Sequence, residues 1–127
     1  MTRIFKNKWF VRFARRESIP DSELCEAVRK AENGLIAADL GGGVIKQRVP
    51  RPGKGASSGY RTIILFRVGE KAFFVYGFPK SERDNIQKDE LAAFKEMAAI
   101  VLSLSDTQLA AALKIGEYHE VVCDEET

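Results

Sequence analysis

Six basic side chains fall between Leu40 and Gly69, with no acidic residue among them: Lys46, Arg48, Arg51, Lys54, Arg61 and Arg67. The stretch Lys46-Gln-Arg-Val-Pro-Arg-Pro-Gly-Lys-Gly-Ala-Ser-Ser-Gly-Tyr-Arg61 reads as a strand, a basic glycine loop and a second strand. Backbone at Gly53, Gly55 and Gly59 can approach an anion closely, and cationic heads surround those glycines. Such a set suits a polyphosphate chain better than a single small molecule.

Arginine and lysine alone are enough for one reaction. RNA carries its own nucleophile, the 2′-hydroxyl beside the scissile phosphate. A catalyst must orient that hydroxyl, accept its proton, neutralise the transition-state charge and protonate the leaving 5′-oxygen. Guanidinium forks match two phosphate oxygens, and clustered lysines exchange protons nearer neutrality than isolated ones. DNA lacks the nucleophile, so a metal-free site of this kind cleaves RNA only. The same residues have plainer readings. A basic glycine loop can be a solvated surface, Tyr76 and Phe78 can pack a half-buried sheet face, and Arg67 can simply end a strand.

Other chemistries find little support. A single histidine, His119, leaves no His-based metal site or Ser-His-Asp triad. No phosphate-loop, dinucleotide or zinc-protease motif occurs. Cys25 and Cys123 fit no metal spacing and are expected as free thiols, one in a helix and one in a loose tail, in a reducing compartment. No signal-peptide pattern or apolar run of the roughly 20 residues needed for a membrane span is present, so a soluble cytoplasmic chain is expected, without cofactor, metal or membrane.

Net charge is +2, but residues 1–83 carry 17 Lys/Arg against 8 Asp/Glu, whereas residues 84–127 carry 3 against 10. A basic body with an acidic C-terminal segment points to a nucleic-acid partner, or to a protein that competes for the basic face. The length fits one domain, 1–127, with a core to about residue 104, a helical extension over 105–123 and an acidic tail over 124–127.

The elements that position the cations follow from periodicity. A strand over Thr2–Asn7 precedes an amphipathic helix over Lys8–Glu17, in which Trp9, Phe10, Phe13 and Ala14 share a face. A second helix opens after Pro20 and closes at Asn33-Gly34. Gly41-Gly42-Gly43 reads as a hinge before a strand over Val44–Val49. Tyr60–Val68 and Lys71–Phe78 are β-branched and aromatic strands joined at Gly69-Glu70, which fits a two-residue turn. That turn pairs Val68 with Lys71, Leu65 with Phe74, Ile63 with Tyr76 and Arg61 with Phe78. One face then holds Tyr60, Thr62, Ile64, Phe66, Phe73 and Val75, and the other Arg61, Ile63, Leu65, Arg67, Phe74, Tyr76 and Phe78. Lys80 has the parity of the second face. A long helix follows from Asn85 to Leu104, and Ser105 with Gln108 forms a capping box for another, which frays toward His119 and Val121.

This order of elements, with Lys46-x-Arg48, the basic glycine loop, Ser58-Gly59-Tyr60-Arg61 and Tyr76-Gly77-Phe78-Pro79-Lys80, resembles the RelE/HigB group of bacterial type II toxin–antitoxin toxins, within the RelE/ParE superfamily. The resemblance covers roughly residues 1–100. It implies an α+β RelE-like fold: an antiparallel three- to four-stranded sheet packed on N-terminal helices, with additional C-terminal helices. It implies a metal-independent, ribosome-dependent mRNA endonuclease (an mRNA interferase) that works in the A site and inhibits translation. The implied catalytic residues are Lys46 and Arg48 for proton handling, Arg61 for transition-state charge, and Lys80 for phosphate or leaving-group contact. RNA-binding roles fall to Arg51, Lys54, Arg67, Tyr76 and Phe78. Implied partners are the 70S ribosome with its mRNA and an antitoxin of helix-turn-helix type, with operator DNA bound only through the antitoxin complex.

Some family members carry a tyrosine early in the last helix, where this chain has Ile86 and Gln87. Either Tyr76 substitutes or proton transfer differs. The acidic C-terminal helix is also unexpected on a ribosome-bound protein; folding over the basic face, an antitoxin or dimer contact, and a solubilising extension are all open. Two other functions stay in view: a same-fold toxin that blocks another target such as gyrase without cleavage, and a nucleic-acid-binding regulatory module.

Overall fold

The computed structural model of the chain describes residues 2–51 and 59–123. Its elements are β1 (Arg3–Asn7), α1 (Lys8–Glu17), α2 (Asp21–Glu32), β2 (Ala38–Gly41), β3 (Val44–Val49), β4 (Tyr60–Arg67), β5 (Lys71–Pro79), α3 (Lys88–Val101), α4 (Asp106–Lys114) and β6 (Tyr118–Val121). The α+β class is as expected, but the sheet is larger. Six strands lie in the order β2-β3-β4-β5-β1-β6, all neighbours antiparallel except β1 beside β5.

Two of the strands are unforeseen. Gly41, Gly42 and Gly43 all have positive φ, which glycine adopts without steric cost. They turn β2 back on β3 as a hairpin and are not a hinge. The segment expected to fray after α4 instead forms β6, which pairs with β1 and places the exposed His119 opposite Lys6. β6 also corrects the expectation for the cysteines. It carries the chain back past α2, where Cys123 and Cys25 are bonded with Cα atoms 5.9 Å apart. Neither is a free thiol, and the argument from free thiols to a reducing compartment lapses.

Asn7 sets the first corner. Its Oδ1 accepts from the Phe10 backbone N–H at 2.8 Å and caps α1, while Nδ2 donates to the Val75 carbonyl at 3.2 Å. Helix α1 thereby buries Phe10, Phe13 and Ala14 against the sheet. Each phenylalanine contributes roughly 1.5–3 kcal/mol by leaving water. Leu24, Ala27, Val28 and Ala31 of α2 complete this layer over Ile45, Val49, Tyr60, Ile64, Phe66 and Phe74. Gln47 is the one buried side-chain amide beneath it among the described residues, and it is satisfied. Its Nε2 donates to the Ala27 and Leu35 carbonyls, both at 2.9 Å, and its Oε1 accepts from Ala37 N–H at 3.1 Å. With Gln47 fixed inward, its neighbours Lys46 and Arg48 point to the opposite face.

That opposite face is covered only in part. Helix α3 starts at Lys88, later than the periodicity suggests, because Gln87 and Glu90 form a capping box there. Ala98, Val101 and Leu102, with Leu109 of α4, pack on Val44, Ile63, Leu65, Phe73 and Val75. Helix α4, expected to be acidic, carries one acidic and one basic residue, Asp106 and Lys114, and is a packed element against the sheet. Its capping box from Ser105 and Gln108 is present as expected.

The β4–β5 hairpin differs from expectation at its tip and agrees at its base. Arg67 pairs with Lys71, so the connection has three residues, with Glu70 N–H donating to the Arg67 carbonyl at 3.0 Å and Gly69 at φ 76°. The expected pairs Val68–Lys71 and Leu65–Phe74 are replaced by Arg67–Lys71 and Leu65–Phe73. A bulge between Ile63 and Ile64 then adds one residue on β5 and restores the expected pairs Ile63–Tyr76 and Arg61–Phe78. Phe73 and Phe74 consequently exchange faces: Phe74 meets Phe10 at 5.1 Å, and Phe73 stacks on Phe5 at 4.8 Å.

Gly77 lies where α1 presses on β5. A β-carbon there would sit 2.8 Å from Phe13 Cε2 and 3.3 Å from the Arg61 carbonyl. Gly77→Ala is expected to destabilise the fold by about 1–3 kcal/mol through overpacking. Thermal melts test this, and an unshifted transition would mean that Phe13 yields freely.

Candidate active site

Cross-strand partners share a face of a sheet, and adjacent strands are about 4.8 Å apart. The pairings therefore define two short rows on the face opposite α1 and α2. One runs Lys46, Ile63, Tyr76 and the next runs Arg48, Arg61, Phe78. Lys80 extends the pattern by one further step: its N–H donates to the Gly59 carbonyl at 3.1 Å, and its side chain is exposed. Helices α3 and α4 cover the distal half of this face and reach the first row at Ile63 and Tyr76, the latter through Phe94.

Arg61 is the unusual member. It is only 7% exposed, and its Nη1 has no hydrogen-bond partner among the described residues. Burial first, and the neighbouring Arg48 second, hold its pKa below the ordinary arginine value. It remains a cation, because arginine is not deprotonated in proteins. A buried guanidinium with an idle donor is costly unless an anion completes it. Arg48 is exposed, directly opposite Arg61 on β3. Lys46 is half-buried, with Nζ 3.4 Å from Asn85 Oδ1.

Tyr76 and Phe78 are brought to the rows but are packed. Phe78 is 5% exposed, and Tyr76 contacts Trp9, Phe94 and Phe78 at ring separations of 4.6, 5.8 and 6.1 Å. The Tyr76 hydroxyl still faces a polar neighbour. Arg83 Nη1 donates to it at 2.9 Å, and the Arg83 guanidinium lies 5.8 and 5.5 Å from the Tyr76 and Phe78 ring centres. Beside them is an open groove of about 350 Å³, lined by Trp9, Phe13, Tyr76, Gly77, Phe78 and Arg83 among others.

Two other basic residues lie elsewhere. Arg67 is six positions from Arg61 along β4, roughly 20 Å away, where Nη1 donates to the Leu102 carbonyl at 2.8 Å and closes the end of α3. Arg51 has the opposite parity and lies over the Tyr60 ring at 5.7 Å, with Nη2 3.9 Å from Glu17 Oε1. Lys54 lies outside the described residues.

Arg83 is absent from the sequence-based site. It sits in the irregular stretch between β5 and α3, where no periodicity assigns a face. Its available signal was Glu90, which becomes informative only when Gln87 is read as the helix cap. Arg83 and Glu90 form an ion pair, and Glu90 Oε1 accepts from Gln87 N–H at 2.7 Å. The hydrogen bond between the two side chains is the largest influence on each, lowering the Glu90 pKa and raising that of Arg83.

The family model for the RelE toxin of the RelE/RelB toxin–antitoxin system matches residues 2–121. The chain belongs to the RelE toxin family. No curated protein matches the sequence. The RelE match takes in every strand of the sheet, including β6, so α4 and β6 fall within the family domain and beyond the resemblance expected to end near residue 100. Membership makes this chain the toxin of a toxin–antitoxin system, with a cognate antitoxin as its partner. The cationic rows of this RelE chain are built by β3, β4 and β5, the strands that carry the sequence motifs.

Proposed function

We propose that this toxin is an endoribonuclease that cleaves mRNA in the ribosomal A site of the bacterial cytoplasm and so stops translation. The observation that carries this reading is Arg61, a buried guanidinium whose Nη1 has no partner among the described residues, set between the exposed Arg48 and the buried Phe78. A phosphate diester is the anion such a fork fits, and the flanking Lys46, Arg48 and Lys80 supply the charge and protons that the reaction needs.

In the proposed reaction the 2′-oxygen attacks phosphorus as its proton passes to the Lys46 amine, with Arg48 beside it as a fixed cation. The bond from phosphorus to the 5′-oxygen breaks as that oxygen takes a proton from the Lys80 ammonium, leaving a 2′,3′-cyclic phosphate and a 5′-hydroxyl. Arg61 neutralises the transition-state oxygens, Lys80 contacts the phosphate or leaving group, and Tyr76 orients the 2′-hydroxyl in place of the tyrosine missing from the last helix. The substrate brings the nucleophile and the protein the cations, so cleavage without a metal is expected. The antitoxin is proposed to be of helix-turn-helix type and to carry the complex to its operator.

A reconstituted bacterial translation reaction tests this, with 5′ ends mapped by primer extension. Cuts inside A-site codons that need ribosomes and vanish in Lys46→Ala/Arg48→Ala are the expected result. Intact message would remove the nuclease reading, and a gyrase supercoiling assay would then test the non-cleaving alternative.

A further inference from the structure

We infer that Arg83 is a positioning residue that holds the Tyr76 hydroxyl in place over the scissile phosphate. This rests on the nuclease reading above and deepens it. Three donors of the guanidinium are spent, two on the elements that flank its loop and one on the loop itself. Nη1 donates to the Tyr76 hydroxyl on β5 at 2.9 Å, Nε to the Asn85 carbonyl at 2.8 Å, and Nη2 to Glu90 in the first turn of α3. Asn85 in turn presents Oδ1 to Lys46 Nζ at 3.4 Å and to Ile86 N–H at 2.9 Å. Tyr76 and Lys46 occupy the two ends of one row, separated by Ile63, and they do not touch. The segment from Arg83 to Asn85 therefore spans that row and ties its two polar ends together.

The direction of the bonds matters for chemistry. Because the phenol oxygen accepts from Arg83, its own O–H is left to donate, and one lone pair remains for an incoming hydroxyl. A cation at the phenol oxygen also stabilises negative charge there during reaction. Glu90 fixes the fork that does this, and the capping of α3 fixes Glu90. Arg83 thus acts through Tyr76, and misplacing that hydroxyl by about 1 Å would cost on the order of a hundredfold in rate.

The test is single-turnover cleavage on programmed ribosomes by Arg83→Ala, Arg83→Lys, Tyr76→Phe and the Arg83→Ala/Tyr76→Phe double variant. Binding is measured separately with a message carrying a 2′-deoxy nucleotide at the cut site. Arg83→Ala is expected to cleave about a hundredfold more slowly with unchanged binding. The double variant should be no slower than Tyr76→Phe, because interactions made through one group do not add. Guanidinium in the buffer should restore part of the Arg83→Ala rate and none of the Tyr76→Phe rate. Arg83→Lys keeps the charge but loses the three-way fork, and it should also be slow; it serves if Arg83→Ala folds poorly, as judged by thermal melts. Wild-type speed in the Arg83 variants, or losses that multiply in the double variant, would overturn the inference alone. A wild type that leaves message intact would remove the nuclease reading and this inference with it.

Discussion

Arg61→Met is expected to lose message cleavage while melting several degrees above the wild type. The two effects have one origin. Arg61 is buried, faces a second cation across the β3–β4 pair, and has an Nη1 with no partner among the described residues. Among the described residues nothing compensates the desolvation of that charge, so an apolar side chain of similar length is expected to stabilise the fold by about 1–2 kcal/mol, or roughly 5 °C. In the proposed reaction the same group meets the developing phosphate charge, and its loss is expected to slow cleavage by about 10²–10³-fold. Calorimetry and the ribosome cleavage assay read the two halves separately. A less stable Arg61→Met would show that the guanidinium is satisfied in the free toxin. Full activity in that variant would move the catalytic role to another residue.

The second large effect concerns the bond between Cys25 and Cys123, which closes a loop of 98 residues. Cross-linking restricts the unfolded chain, and for so long a loop its loss is expected to cost about 3 kcal/mol. Cys25→Ser/Cys123→Ser should therefore melt roughly 10 °C below the oxidised wild type. Reductant should bring the wild type down to the same temperature and leave the double variant unchanged. Equal melting of all three would mean that the bond constrains nothing that matters to folding. Cleavage well below the transition should persist, because α2 lies on the face of the sheet away from Lys46, Arg48 and Arg61.

The legible parts of the fold were those with local signals. β4 and β5 announce themselves by runs such as Tyr-Arg-Thr-Ile-Ile-Leu-Phe-Arg, α1 by its apolar spacing, and α4 by the Ser105–Gln108 box. β2 and β6 have four residues each, too few to carry a periodic signal, and β6 exists only because it meets β1 more than a hundred positions earlier. The disulfide was hidden for the same reason, since Cys123 reaches α2 only on the path β6 gives it. Strand parity was enough to gather Arg61, Tyr76 and Phe78 on one face, whereas Lys46 and Arg48 were assigned to the site only by the resemblance and are set on that face by the β3–β4 register. Parity gives the face but not the end, which is why Arg67 was grouped with residues roughly 20 Å away. Arg83 had no parity to read, because its position depends on a loop held by side chains.

Between Ile63 and Tyr76 the chain could pair in two ways: a two-residue turn with an unbroken ladder, or the three-residue turn and bulge observed here. Both leave Arg61 opposite Phe78. They differ only in the distal half, where a slip of one residue would send Phe73 and Phe74 to the wrong layers. The bulge therefore acts as a buffer between the two ends of the hairpin: a one-residue change of turn at the tip is absorbed before it reaches the pairs that set the cationic rows.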